Sequence, residues 1–263
     1  IKSVIEHFID VNKGSISTTL GWMNDQMIYN QNPAIRSQQT TLTQRYEHAI
    51  GDHFHLNTGF LINLLTAKGS NLEYINPQKQ LDFFVIVTYR INDRWSSTWG
   101  LRESFMIDAG SKLLPSLGAE RKWIFPKSLL VSHAKIAQGF RYPTLNDRFW
   151  LPGGNPSLNP EQSASTEIGF ELRYPKFNTQ VNIYQTWAQD WILWLPQSGN
   201  IWRPENIQKV AISGIDYALG YHYFLNETKL ESEVVLSTAL ARPVTTHLFL
   251  EKDLELNLES LIK

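Results

Sequence analysis

The chain of 263 residues carries 24 basic and 25 acidic side chains, nine tryptophans and no cysteine, and only 19% of its residues are charged. The balanced charge argues against a nucleic-acid-binding protein, which normally presents a basic face, and the lack of cysteine excludes disulfides and thiolate metal sites. No apolar run approaches the ~20 residues of a membrane-spanning helix, so a helical membrane protein is excluded. A transmembrane β-barrel stays open, because barrel strands alternate apolar and polar residues.

Alternation with a period of two residues is the strongest pattern along the chain. Apolar side chains take most of the alternate positions in residues 54–64, 81–91, 95–107, 164–174 and 215–223. These segments run for about ten to twelve residues, longer than the ~5–6 residues common in soluble sheets. The pattern predicts an all-β fold, an antiparallel transmembrane β-barrel with about twelve strands in this chain.

The two faces of such strands differ in polarity. The apolar face, which we expect to contact lipid, carries Ile168, Phe170, Leu172, Ile215, Leu219 and Tyr221. The opposite face, which we expect to line the lumen, carries Arg90, Arg102, Glu167, Glu171, Arg173 and Asp216.

The predicted connections alternate in length. Short turns are expected at Gly51-Asp52, Asn92-Asp93, Phe125-Pro126, Pro175-Lys176 and Asn226-Glu227. Longer loops are expected at about residues 67–79, 108–115, 140–162 and 188–207. Short turns at one end and long loops at the other are typical of outer-membrane barrels.

Tryptophans concentrate near the predicted connections. Trp95 and Trp123 lie near short turns, and a second group lies near one long loop: Trp187, Trp191, Trp194 and Trp202. This distribution predicts two interfacial aromatic girdles, with core packing as the alternative for any single tryptophan.

Residues 1–263 are interpreted as a single partial barrel domain, in which residues 245–263 lose the alternation and form a poorly defined tail.

One Pro-, Gly- and Asn-rich segment stands out between two predicted strands. It contains Phe140-Arg141-Tyr142-Pro143 and, after a short loop, Asn155-Pro156-Ser157-Leu158-Asn159-Pro160-Glu161. These residues resemble the "FRAP"-like and "NPxL-x-PE" boxes of TonB-dependent outer-membrane receptors, with Tyr142 in place of a small residue. Trp202-Arg203-Pro204-Glu205-Asn206-Ile207, followed by Gly214-Ile215-Asp216, resembles the next loop and strand of such receptors.

The resemblance implies a receptor in the bacterial cell outer membrane. Plugged outer-membrane transporters have 22 strands, so this chain would supply about twelve of them, with the plug domain and its TonB box outside this sequence. The implied partners are TonB (through the plug), the plug domain itself, outer-membrane lipid and a large scarce nutrient. Cobalamin is favoured, with an iron-siderophore next, because residues 144–154 contain no histidine of the kind that haem receptors often place there. A haem receptor, a passive porin-like channel and a soluble all-β adhesin remain as alternatives.

Ligand contact is expected from cationic and aromatic side chains in the predicted long loops: Arg141, Arg148, Trp150, Trp191, Trp194 and Trp202. For residues 140–161 as a whole, a mainly structural role as a corner is favoured over ligand contact, since four prolines stiffen the segment. No nucleophile elbow, zinc-protease motif or phosphate-binding glycine loop occurs, so we expect no enzyme, no catalytic residues and no cofactor. His53 and His55, with His48 across a turn, could bind a surface metal, but solvated side chains are favoured and no metal site is predicted.

Overall fold

The structure, a computed structural model, describes residues 2–28, 35–69, 71–72, 77–107, 110–225 and 228–244. Twelve strands form one antiparallel sheet in chain order. They are β1 (Lys2–Val11), β2 (Gly14–Met27), β3 (Ile35–Ile50), β4 (Phe54–Lys68), β5 (Gln78–Arg90), β6 (Trp95–Met106), β7 (Gly110–Phe125), β8 (Ser128–Arg141), β9 (Glu161–Arg173), β10 (Phe177–Pro196), β11 (Trp202–Leu225) and β12 (Thr228–Pro243). A single short helix, α1 (Leu145–Phe149), and a 3-10 turn at Ser198–Asn200 complete the described elements. No helix in these ranges is long and apolar enough to cross a membrane.

The register places the predicted apolar rows on one face of the sheet. Ile168 lies opposite Ala134 on one side and Ile183 on the other, and Ile183 lies opposite Ile215. Directly paired residues share a face, so apolar side chains of neighbouring strands form continuous bands. Ile168 and Ile215 keep 53% and 46% of their surface exposed, which makes this the outward face of the sheet.

The connections confirm most of the predicted turns and correct two predicted loops. Short connections occur at residues 12–13, 51–53, 91–94, 126–127 and 174–176, which together define the short-turn end of the sheet. The predicted turn at Asn226-Glu227 and the predicted tail, residues 245–263, lie outside the described residues. Longer connections at 69–77 and 142–160 lie at the opposite, long-loop end, as predicted.

The loop predicted at 108–115 is wrong, because β7 already begins at Gly110. Pro115 lies within β7, where it pairs with Leu101 of β6, and the pairing of β7 with β8 starts only at Ser116. A proline is tolerated where one side of a strand has no hydrogen-bonded neighbour.

The loop predicted at 188–207 is also wrong, because β10 and β11 continue to Pro196 and from Trp202. Asp190 takes a positive φ of 54°, but pairing continues through Gln189 opposite Lys209 and Trp191 opposite Ile207. These strands therefore form one long hairpin that extends beyond their neighbours β9 and β12 at the long-loop end of the sheet.

Glycines on the inner face make room for large side chains of the next strand. The Tyr184 ring lies against Gly214, its partner in the register, and the His133 ring lies against Gly169. A Cβ at either glycine would overlap the neighbouring ring. Such aromatic cover of glycine is a device that lets a sheet curve.

Candidate functional site

The loop at residues 142–160, called here the crossing loop, begins and ends at a paired arginine and glutamate. Arg141 is the last residue of β8 and lies opposite Glu161, the first of β9. Its Nε donates to Glu161 Oε2 at 2.6 Å, and its Nη2 donates to Oε1. The backbone N–H of Ile192 donates to the same Oε1 at 2.8 Å. Glu161 is only 7% exposed, so the bidentate pair closes the base of the loop and ties it to β10.

A capped helical turn orders the first part of the crossing loop. The Thr144 hydroxyl accepts from the Asp147 N–H at 3.1 Å, and Asp147 Oδ2 accepts from the Thr144 N–H at 2.9 Å. These reciprocal bonds form a capping box. Asp147 Oδ1 also accepts from Trp194 Nε1 at 3.0 Å, and Arg141 Nη1 lies 4.0 Å from Oδ2. No role for Asp147 is predicted from the sequence, although Thr144-x-x-Asp147 is a recognisable cap spacing.

The second box fastens the crossing loop to the β10–β11 hairpin. The Asn155 side-chain amide donates to the Pro204 carbonyl at 3.1 Å. Asn206 Oδ1 accepts from the Asn159 N–H at 2.8 Å, and its Nδ2 donates to the carbonyls of Asn159 and Asp190 at 3.0 and 2.6 Å. Leu158 is buried between these contacts. The two sequence motifs, read separately along the chain, are therefore one hydrogen-bonded unit.

Tyr142, which departs from the family pattern, has hydrogen-bond partners of its own. The Tyr142 hydroxyl donates to the carbonyls of Ser104 and Gly110 at 3.3 and 3.1 Å, and its ring meets Phe140 edge-on at 4.4 Å between centroids. Burial raises the pKa of the Tyr142 phenol above its usual value, so the group remains a donor at neutral pH. Tyr142 therefore joins the start of the crossing loop to β6 and β7, which a small residue could not do.

An apolar cluster holds the crossing loop against strands far along the sheet. Leu145 of α1 packs with Ile35 of β3, Ala67 of β4 and Leu72, and Trp150 packs against the same cluster. A short bridge pairs Leu72 with Trp150, and the Leu151 N–H donates to the Asn71 carbonyl at 2.8 Å. The loop thus spans the inner face from β8 to β3 and β4.

The six predicted ligand-contact residues divide between this loop and the hairpin. Arg141 and Trp194 are engaged in the bonds described above. Arg148 Cζ lies 4.9 Å from the centroid of the Phe149 ring, and Trp150 is half-buried beside Leu72. Trp191 is half-buried in β10, whereas Trp202, the first residue of β11, is 52% exposed.

A cavity of about 760 Å³ lies beneath the crossing loop on the inner face. Its wall includes Arg102, whose Nη2 donates to Asp82, a carboxylate that is 1% exposed. Gln80 Nε2 donates to the same carboxylate at 3.0 Å. Arg45 and Lys135 also line the cavity, so its walls offer more cationic than anionic groups to a polar or acidic ligand.

The histidines near the short turns have other partners. His53 Nδ1 lies 2.7 Å from the Arg90 carbonyl, and the His48 ring stacks on Tyr46 at 5.6 Å between centroids. Among the described residues, no cluster of His, Asp and Glu is suited to hold a metal ion.

A family comparison agrees with the two motifs and with the outward apolar bands. Residues 7–241 match the family described as "TonB dependent receptor-like, beta-barrel". The chain belongs to this family. TonB-dependent receptors lie in the bacterial outer membrane, which is therefore the location of this chain. In such barrels the short turns face the periplasm and the long loops face the exterior.

Relatives and solved structures agree on the family. The chain is 32% identical over 111 residues to a vitamin B12 transporter BtuB of Vibrio vulnificus and 24% identical over 198 residues to one of Photobacterium profundum. The matches cover 42% and 71% of this chain but only 18% and 31% of those transporters. The siderophore receptor PirA from Pseudomonas aeruginosa has the same fold, with a TM-score of 0.75 at 20% identity over 92% of this chain and 48% of its own. The copper transporter OprC has a TM-score of 0.60 at 17% identity, over 88% of this chain and 43% of its own.

Proposed function

We propose that this chain is one partial barrel domain, about half of a 22-stranded barrel, of a TonB-dependent receptor that imports cobalamin. The similarity to vitamin B12 transporters over 71% of the chain carries the choice of substrate. An iron-siderophore is the second candidate, because the printed name of a structural neighbour is that of a siderophore receptor. The order of the sheet supports a barrel with further strands, because β1 and β12 lie at its two edges and edge strands need partners in lipid.

The geometry suits the wall and mouth of such a transporter. The outward apolar bands would hold the barrel in the membrane, and inner polar groups such as Arg102 and Asp82 would face the plug or the transport path. The crossing loop, fixed at its base by Arg141 and Glu161, would present Arg148 and Trp150 to the nutrient. TonB would act on the plug rather than on the barrel, so we assign the barrel no catalysis and no cofactor.

A growth assay with the complete receptor tests the substrate. The gene that contains this chain is expressed in a bacterium that lacks its own cobalamin receptor and depends on external cyanocobalamin. We expect growth at nanomolar cyanocobalamin when TonB is present and none in the strain that lacks TonB. Growth restored only by a ferric siderophore would replace cobalamin as the substrate. Growth that is independent of TonB, together with conductance in planar bilayers, would refute the receptor in favour of a passive channel.

Binding measurements test the proposed contact residues. Loss of a hydrogen bond from a charged group costs ~1.5–3 kcal/mol, so we expect Arg148→Ala to weaken nutrient binding roughly tenfold or more. Trp150→Ala is expected to weaken binding as well, because the ring supports the loop. The matched control is Trp99→Leu, at an outward-facing residue, for which we expect unchanged affinity. Full affinity in both loop variants would remove the crossing loop from the binding site.

A further inference from the structure

An arginine lies on the outward apolar face of the barrel near the short-turn end. Arg121 of β7 lies directly opposite Trp95, the first residue of β6, and shares its face with Trp123 two positions along. On the same face, Leu117 lies toward the middle of the membrane and Phe125 lies toward the turn. Leu117 is 50% exposed and Phe125 is 52% exposed. A cation on the lipid-facing surface is strongly disfavoured at the bilayer midplane and much less so near the interface.

Two indole rings fix the guanidinium instead of letting it turn toward water. Its Cζ lies 3.4 Å from the centroid of Trp123 and 4.8 Å from that of Trp95. Trp123 is itself oriented, because its Nε1 donates to Ser132 Oγ at 3.3 Å. Stacking on aromatic faces leaves the edge of a guanidinium, with its N–H groups, available for bonds in its plane.

The charge of Arg121 has no counter-ion within the part of the chain that the structure describes. The adjacent Glu120 lies on the inner face, opposite His133, where Lys122 approaches it at 3.7 Å. Arg121 Nε is buried and has no hydrogen-bond partner among the described residues, so a ligand outside the sheet can reach only the two terminal nitrogens of the guanidinium. A stacked arginine on a lipid-facing surface, with unused donors and no carboxylate, therefore needs an anion supplied by the membrane.

We propose that Trp95, Arg121 and Trp123 bind the phosphate of a membrane phospholipid. Tryptophans of a barrel girdle lie at the level of the lipid headgroups, and the planar fork of arginine matches a phosphate with two parallel hydrogen bonds. The short turns on either side of the cluster, at 91–94 and 126–127, place it in the periplasmic leaflet. The site is independent of the nutrient, so it stands whichever ligand the receptor imports.

Native mass spectrometry of the complete, delipidated receptor titrated with phosphatidylglycerol tests the site. Arg121→Gln is expected to weaken phosphatidylglycerol retention about tenfold, as for the loss of one charge-assisted bond pair. The matched control is Lys122→Gln, which removes the same charge one residue away on the inner face and should leave retention unchanged. Equal retention by Arg121→Gln and the parent protein, or equal losses in both variants, would overturn the site.

Two further measurements keep the test decisive. Arg121→Lys keeps the charge and removes the planar fork, so we expect about threefold weaker retention in a variant that assembles normally. Unchanged retention in Arg121→Lys would refute bidentate phosphate binding. Lipid that co-purifies with the receptor from membranes and is lost in Arg121→Gln should be phospholipid. Selective loss of lipopolysaccharide would refute the placement in the periplasmic leaflet.

Discussion

Removal of the Glu161 carboxylate should release the crossing loop from the barrel wall. Glu161→Ala removes the acceptor of two hydrogen bonds from Arg141 and orphans the buried N–H of Ile192. Bonds to a charged group contribute ~1.5–3 kcal/mol each, and an orphaned buried donor costs ~1–3 kcal/mol. Arg141 is 48% exposed along its side chain, so water replaces part of its lost bonding. We therefore expect the loop to open more easily by about 3 kcal/mol, roughly a hundredfold in population.

Hydrogen exchange on the complete receptor measures this opening. The Ile192 amide and the backbone of residues 142–160 should exchange about a hundredfold faster in Glu161→Ala. Glu161→Gln keeps an acceptor for the amide and should show a smaller effect. The matched control is Glu171→Ala on the same strand, which breaks a similar bidentate pair with Arg173 at 2.5 and 2.8 Å. That pair lies near the short-turn end with Arg173 58% exposed, so its loss should be worth less than ~1 kcal/mol. Equal exchange rates in the parent protein and Glu161→Ala would show that Glu161 does not hold the crossing loop against the barrel wall.

Two further predictions concern the barrel wall. Phe170→Arg places a charge on the outward face at a cost of up to ~2–4 kcal/mol, so we expect less of this variant to assemble in the membrane. Glu171→Gln should assemble normally. Heat-modifiable gel mobility measures assembly in both variants. Equal mobility of the two variants would contradict the assignment of the faces. Gly214→Val should also impair assembly, because its side chain would displace the Tyr184 ring. Gly118→Ala should assemble normally, because a Cβ there meets only ordinary contacts at 3.6 Å or more. An equal loss of assembly in Gly214→Val and Gly118→Ala would show that these glycines are needed for backbone conformation rather than for space beside a ring.

The strand pattern could be predicted because it repeats a single rule. Every second residue of 164–174 is apolar or small, and the register of β9 places Ile168 and Phe170 on the outward face together. Turns such as 91–94 were also accessible, since Asn92 accepts from the backbone N–H groups of Arg94 and Trp95 at 2.9 and 3.0 Å. Local chemistry of this kind is complete within a few residues of sequence.

The ends of the long strands could not be predicted because long-range contacts decide them. Pro115 and Asp190 both suggest loops, yet each lies within a strand whose partner continues. The motif residues were found, but not their partners: Glu161 meets the Ile192 amide 31 positions away, and Asp147 meets Trp194 47 positions away. The two aromatic girdles were predicted from Trp position alone, and Trp194 instead points to the crossing loop. No periodicity in the sequence encodes such a pairing.

The contact between Leu145 and the ends of β3 and β4 has a geometric consequence for the mouth of the barrel. Four strand spacings of ~4.8 Å separate β4 from β8, an arc of ~19 Å. Leu145 is four residues beyond Arg141, at most ~14 Å of extended chain. The loop crosses the curved wall along a chord shorter than the arc, and side chains close the remaining gap to its anchor. The crossing loop is therefore a tie between two points of a curved wall, and its length limits how far β5, β6 and β7 can flatten. The width of this rim depends on one segment of chain as well as on strand number and stagger.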